Sequence, residues 1–163
     1  MPIYYLDTSA VMKRYIPELG SEVVEELFDG LTESESLTTS YLTVLEANSA
    51  ATRLLGGNVI SRRDYQRILG QLSRDMRSRG VTVIPVRNEL VEEAVTTVRA
   101  YSLRALDALH FTSAALAGRN SSDGQNLYMV SADREILEAC QAHGIPTLDP
   151  QAGDALSRLR TLR

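Results

Sequence analysis

Ile3-Tyr4-Tyr5-Leu6-Asp7-Thr8-Ser9-Ala10 opens the chain with a short apolar run that stops at an acid and two hydroxyls. Four large apolar residues in a row suit a strand buried on both faces, as in a parallel sheet. Asp-Thr-Ser suits the turn from that strand into a helix, because each of the three side chains can cap a helix N-terminus. Capping needs only one of them, and Thr8 or Ser9 suffices. Asp7 is then a spare carboxylate at the end of a strand, a position that favours ligand binding over capping.

The same pattern repeats outward along the chain. Short apolar runs predict further strands over residues 37–40, 81–85, 127–130 and 145–148. Helical spacing fills the intervals, over residues 9–15, 21–29, 41–55, 61–79, 88–101, 103–117, 132–143 and 151–159. Gly56-Gly57, Gly80, Gly118 and Gly144 supply helix stops. Strands alternating with helices imply right-handed crossovers and a mainly parallel sheet, an α/β fold. Ligands of such sheets bind outside the carboxyl ends of the strands. Asp7 and Asp133 fall on that edge, and Glu46 sits in the helix entered from the second strand.

The 163 residues are the size of one domain, and a 44% hydrophobic content supports a core. One domain over residues 1–163 is expected. The polar stretch over residues 118–126 is a turn, too short to divide the chain. The N-terminal run reaches a charge at Asp7 too early for a signal peptide, and no stretch nears the ~18–20 apolar residues of a membrane span. The single cysteine, Cys140, has no disulfide partner within the chain and reads as a small buried hydrophobe. A soluble, cytoplasmic protein is expected. Net charge is −4, but its distribution is uneven. Residues 18–46 carry acids and no Lys or Arg, whereas Arg62, Arg63, Arg67, Arg74, Arg77 and Arg79 crowd one predicted helix. Arg158, Arg160 and Arg163 form a second cluster. Arginine forks suit phosphate, and the first cluster would track a nucleic-acid backbone, dock a partner, or simply be solvated.

Three more acids occupy positions like that of Asp7. Glu46 borders a stripe of apolar and small residues, with Leu42, Ser49 and Ala50 its neighbours at helical spacing. Asp107 has apolar residues on both sides early in its helix, where the dipole alone favours an acid by ~0.3–1 kcal/mol. Asp133 follows Ser131, itself a natural N-cap. Two like charges ~4 Å apart repel by about 4 kcal/mol at an effective dielectric near 20. A fold that gathers these acids therefore needs positive charge among them, and a hard cation such as Mg²⁺ or Mn²⁺ matches an all-oxygen set. His110, three residues after Asp107, reads as a supporting or packing residue, since a lone His makes no zinc site. His143 reads as a helix C-terminus, and Tyr4, Tyr5 and Tyr41 as core.

Leu6-Asp7-Thr8-Ser9-Ala10, Val44-Leu45-Glu46-Ala47, Leu103-Arg104-Ala105-Leu106-Asp107-Ala108-Leu109-His110 and Val130-Ser131-Ala132-Asp133-Arg134 together resemble the PIN-domain nucleases. Within them the chain is similar to the VapC-like ribonuclease toxins of type II toxin–antitoxin systems. The resemblance implies a Rossmann-like α/β/α sandwich with a parallel sheet of four or five strands. It carries the family's acidic quartet onto Asp7, Glu46, Asp107 and Asp133 as catalytic and metal-ligating residues. Its accompanying hydroxyls fall on Thr8 or Ser9 and on Ser131, and Asp149 matches a further acid of some relatives. It also implies Mg²⁺- or Mn²⁺-dependent cleavage of RNA leaving a 5′-phosphate and a 3′-hydroxyl, a cognate antitoxin laid over the site, and a homodimer. Arg104 is a candidate phosphate contact or a salt bridge to Asp107 or Glu46.

Other readings fit less well. A haloacid-dehalogenase-type phosphatase needs an acid where Ser9 stands. A receiver-like phosphoacceptor needs a lysine late in the chain, whereas the only lysine is Lys13. A nucleotide-binding module needs a glycine-rich loop after a strand. A catalytically silent PIN-like scaffold and a metal-dependent DNA nuclease remain as alternatives.

Overall fold

The structure is a computed structural model that describes residues 2–78, 80–119 and 126–163. Most of the predicted polar turn, residues 120–125, and Arg79 of the basic cluster lie outside the described residues. Five strands, β1 (Ile3–Leu6), β2 (Ser36–Ser40), β3 (Val81–Ile84), β4 (Leu127–Val130) and β5 (Thr147–Leu148), form one sheet in the order β3-β2-β1-β4-β5. Every neighbouring pair is parallel. The helices are α1 (Thr8–Met12), α2 (Ser21–Asp29), α3 (Tyr41–Gly56), α4 (Arg62–Asp75), α5 (Asn88–Tyr101), α6 (Ala105–Arg119), α7 (Arg134–Ala142) and α8 (Ala155–Leu162).

Alternation along β1 divides the core in two. Tyr4 and Leu6 join Val24, Leu27, Ala47, Ile68 and Leu159 in the cluster built with α1–α4 and α8. Tyr5, facing the other way, joins Ala94, Phe111, Met129 and Ile136 in the cluster built with α5–α7. The sheet is therefore sandwiched between two helical layers, the α/β/α arrangement that the family resemblance implies.

Chain order explains where a site can form. From β1 the chain steps through β2 to β3, then returns to place β4 on the other side of β1. The connections after β1 and β4 diverge at this reversal and leave a crevice at the carboxyl ends of the two strands. Leu6 is in register with Val130, so Asp7 and Ser131 lie side by side there.

Local differences from the sequence reading have local causes. β5 begins at Thr147 rather than 145 because Pro146 has no N–H for the ladder, although its carbonyl still accepts from Met129 N at 2.9 Å. The predicted 61–79 helix closes at Asp75, where Arg77 N and Ser78 N turn to carbonyls three residues back. The last helix begins at Ala155 because Asp149 folds residues 149–152 into a turn, its side chain accepting from Gln151 N at 2.8 Å. Tyr41, expected in the core, is 59% exposed at the start of α3.

Gly20 caps α2 with φ of +86°, and a Cβ there would lie 2.4 Å from the Pro150 carbonyl oxygen. Left-handed backbone and backbone overlap add, so Gly20→Ala should cost about 2–4 kcal/mol of stability. Urea unfolding of the two proteins checks this; a loss below ~1 kcal/mol would mean the Pro150 turn yields freely.

Candidate active site at the carboxyl edge of the sheet

Asp7 is 3% exposed. Its amide donates to Val130 O at 3.2 Å, extending the β1–β4 ladder by one residue. Its side chain caps α1 itself, Oδ1 accepting from Ala10 N at 2.9 Å, so the expectation of a carboxylate spared from capping is corrected. Thr8 and Ser9 already lie inside the first turn of α1. Ser9 Oγ donates to Asp7 at 2.8 Å, and Ser131 Oγ donates to Oδ2 at 2.7 Å. Ser9 Oγ also accepts from Ala132 N at 2.9 Å, which ties α1 to the loop after β4. Burial pushes the Asp7 carboxyl above its ordinary range. The charge of His110 and the donors from Ala10, Ser131 and Ser9 oppose that push without cancelling it.

Glu46 projects from α3 toward α1 and α6. Its Oε2 accepts from Thr8 Oγ1 and from His110 Nε2, the latter at 2.8 Å. Burial raises its pKa, but the hydrogen bonds from His110 and Thr8, with the charges of His110 and Arg53, outweigh burial and hold Glu46 below the usual carboxylate range. His110 is 2% exposed, and its Nδ1 meets the Tyr5 hydroxyl at 3.1 Å.

Arg104 joins the other two acids. Its Nε donates to Asp107 Oδ2 at 2.7 Å and its NH2 to Asp133 Oδ2 at 3.1 Å, with Glu135 3.6 Å away. Of the two salt bridges considered from sequence, it makes the one to Asp107 and none to Glu46. The Arg104 side chain is 69% exposed, so this bridge lies at the rim. Asp133, not Ser131, caps α7, accepting from Glu135 N at 2.9 Å. Ser131 Oγ instead receives Asp133 N at 2.9 Å while donating to Asp7.

The four acids thus form three hydrogen-bonded groups: Asp7 with Ser9 and Ser131, Glu46 with Thr8 and His110, and Asp107 with Asp133 through Arg104. Ser131 links the first to the third, and Thr8, adjacent to Asp7, links the first to the second. Among the described residues no three Asp, Glu, His or Cys side chains converge as a ready-made metal site. The set still suits a hard divalent cation. Its donors are carboxylate and hydroxyl oxygens, and one guanidinium already spans Asp107 and Asp133, so a single positive centre can serve both. The acids range from the buried Asp7 to Asp133, whose side chain is 27% exposed. A cleft of about 560 Å³ lies elsewhere, at the amino-terminal ends of β4 and β5, lined by Leu127, Ile145 and Pro146.

Sequence reasoning missed two contributors. Glu135 shares Arg104 with the site acids, and its signal was a second acid in the first turn of α7. Tyr5 was assigned to the core, where it is, but its hydroxyl reaches His110. Asp149 makes its own turn and contacts none of the four acids. Cys140 is buried as expected, with its thiol pushed up to about 12 by burial and by Asp7. His143 caps α7 and bonds the Tyr101 hydroxyl at 2.7 Å. Arg62, Arg63, Arg67, Arg74 and Arg77 are exposed. The C-terminal arginines are engaged: Arg163 pairs with Glu35 at 2.8 Å and Glu26 at 3.2 Å, and Arg158 donates to Thr147 O.

The family profile of the PIN domain matches residues 4–142, which contain all four acids. Ribonuclease VapC45 of Mycobacterium tuberculosis (strain CDC 1551 / Oshkosh) is 32% identical over 120 residues, covering 72% of this chain and 78% of its own. Two solved structures share the fold. FitAcB from Neisseria gonorrhoeae superposes with a TM-score of 0.60 at 18% identity, over 90% of this chain and 97% of that one. A toxin–antitoxin complex from Klebsiella pneumoniae superposes with a TM-score of 0.57 at 16% identity, over 90% and 97%. With the profile covering residues 4–142 and the relative covering most of the chain, the protein belongs to the PIN-domain family, in its VapC-like group.

Proposed function

We propose that this protein is a Mg²⁺- or Mn²⁺-dependent ribonuclease that hydrolyses RNA phosphodiester bonds and serves as the toxin of a toxin–antitoxin pair. The observation that carries the reading is the pairing of Asp107 with Asp133 around one positive group, beside the buried Asp7 at the strand reversal. A VapC-like relative named a ribonuclease supports the reaction class. When bound, the divalent ion supplies positive charge opposite the scissile phosphate and lowers the pKa of water.

The chain's own residues divide the remaining work. Asp7 and Asp107 would hold the ion, and Asp133 would join them from the rim. Ser9, Ser131 and Ala10 N keep the Asp7 carboxylate in one orientation, so little reorganisation accompanies binding. Glu46, kept ionised by His110 and Thr8, would hold the ion beside Asp7 and Asp107 and orient the attacking water. Arg104, 69% exposed at the rim, is the side chain placed to meet a substrate phosphate. The exposed arginines of α4 attract the backbone of the substrate. A protein antitoxin and a second copy of the chain are the proposed partners; one structure of this fold is a toxin–antitoxin complex. No helix among the described residues is long and apolar enough to cross a membrane.

Asp107→Asn should keep the fold and reduce Mg²⁺-dependent cleavage of single-stranded RNA by on the order of 10²–10³-fold, the loss typical when a preorganised charge-stabilising group is removed. Gel assays on matched RNA and DNA strands read this directly. Full activity in both Asp107→Asn and Asp7→Asn would remove the assigned roles, and cleavage of DNA alone would replace the substrate.

Asp7→Asn carries a second expectation, on stability. The raised carboxyl pKa means the native state binds more protons than the unfolded state between the two pKa values. Native stability therefore falls as pH rises through that window, and the ionised Asp7 is a destabilising group at neutral pH. Metal-free Asp7→Asn should melt at or above the wild-type temperature at pH 7, and its advantage should shrink as pH falls. Melting curves from pH 4 to 8 measure it; a variant less stable at pH 7 than at pH 4, relative to wild type, contradicts the sign.

A further inference from the structure

Both ring nitrogens of His110 are engaged inside the protein. Nε2 lies 2.8 Å from Glu46 Oε2 and 3.3 Å from Thr8 Oγ1, and Nδ1 lies 3.1 Å from the Tyr5 hydroxyl. An ionised carboxylate only accepts, so Nε2 carries the proton that joins the ring to Glu46, whatever the state of Nδ1. A histidine serving only to fill the core needs no such alignment with a site acid. Tyr5 is fully buried on the central strand, two residues before Asp7. The ring edge also packs against Tyr5, with centroids 6.2 Å apart at 67°. The ring is thus referenced to the strand that carries Asp7, and it passes that reference to Glu46 on α3. Thr8 supplies a second tie from the residue following Asp7. Both ties end on Oε2, and among the described residues no hydrogen bond is made by Oε1.

We propose that Tyr5 and His110 form a positioning pair for Glu46: Tyr5 anchors the imidazole, and the imidazole clamps Oε2 so that Oε1 stays available to the active site at a fixed place relative to Asp7. The proposal deepens the nuclease reading and rests on it for the use made of Oε1. His110 is a positioning residue here, acting through Glu46 and not on the substrate.

The pair makes distinguishable predictions. His110→Leu removes the donor and keeps an apolar filler, and should weaken Mn²⁺ binding, measured by titration calorimetry, by about 10–100-fold. His110→Gln returns an N–H donor near the Nε2 position and should restore most of that loss. In cleavage assays His110→Leu should lower kcat with little change in KM. The loss should vanish in a Glu46→Gln background, because the pair acts only through that acid. In the metal-free protein, ¹⁵N NMR should show a proton on His110 Nε2 that is protected from exchange, and Glu46→Ala should abolish the protection. Tyr5→Phe, which deletes one hydroxyl from the core, should give a smaller loss in the same direction and serves if His110→Leu does not fold. Unchanged Mn²⁺ binding in folded His110→Leu and Tyr5→Phe would overturn the proposal. So would equal loss in the Gln and Leu variants, or an Nε2 signal indifferent to Glu46→Ala. Wild-type protein that cleaves no RNA would sink the nuclease reading instead, while the NMR comparison, which needs neither metal nor substrate, still decides whether the pair holds Glu46.

Discussion

One buried carboxylate ties the architecture together. Asp7 caps α1 through Oδ1, receives hydroxyls from Ser9 and Ser131, and extends the β1–β4 ladder through its own amide. A charge at 3% exposure is tolerated only because these donors surround it, and burial still raises its pKa. The same bonds bring the first strand-to-helix turn and the loop after β4 into a common frame. Remove the acid, and the chain retains its hydrophobic layers but loses the polar joint that sets the two sides of the crevice against each other.

Around that joint the remaining negative charge is dispersed by different means. Glu46 leans on a hydroxyl and an imidazole, whereas Asp107 and Asp133 share a guanidinium. Among the described residues, the cationic group set against these acids is the Arg104 guanidinium, beside the His110 ring on Glu46. Arg104 is exposed and its contacts are at the rim, where ion pairs are weak and easily exchanged. His110 and Tyr5 are buried and have no such freedom. The site therefore combines a rigid interior side, built on β1 and α6, with an adaptable outer side.

Much of this was legible from residue order. The strands at 3–6 and 127–130 are short apolar runs between turn residues, and they lie where those runs lie. Helices that end at glycine were well bounded, as at Gly56, whereas the end at Asp75 was set by a tightening last turn that leaves no mark in composition. Capping roles were misassigned at both Asp7 and Asp133, because a run such as Asp-Thr-Ser or Ser-Ala-Asp offers several equivalent caps and only backbone angles choose among them. Residue type alone places Tyr41 in the core; its position at the first turn of α3 turns it outward. The contacts from Tyr5 and Arg104 join residues 105 and 29 positions apart in the chain, and no local pattern encodes such pairings.

The strand order has a bearing on synthesis. β1 is made first but occupies the middle of the sheet, and one of its two flanks stays bare until β4 is made. On the ribosome, Asp7 and Ser131 meet only after residue 131 has cleared the exit tunnel, so nascent chains carry the first acid long before the crevice around it can close.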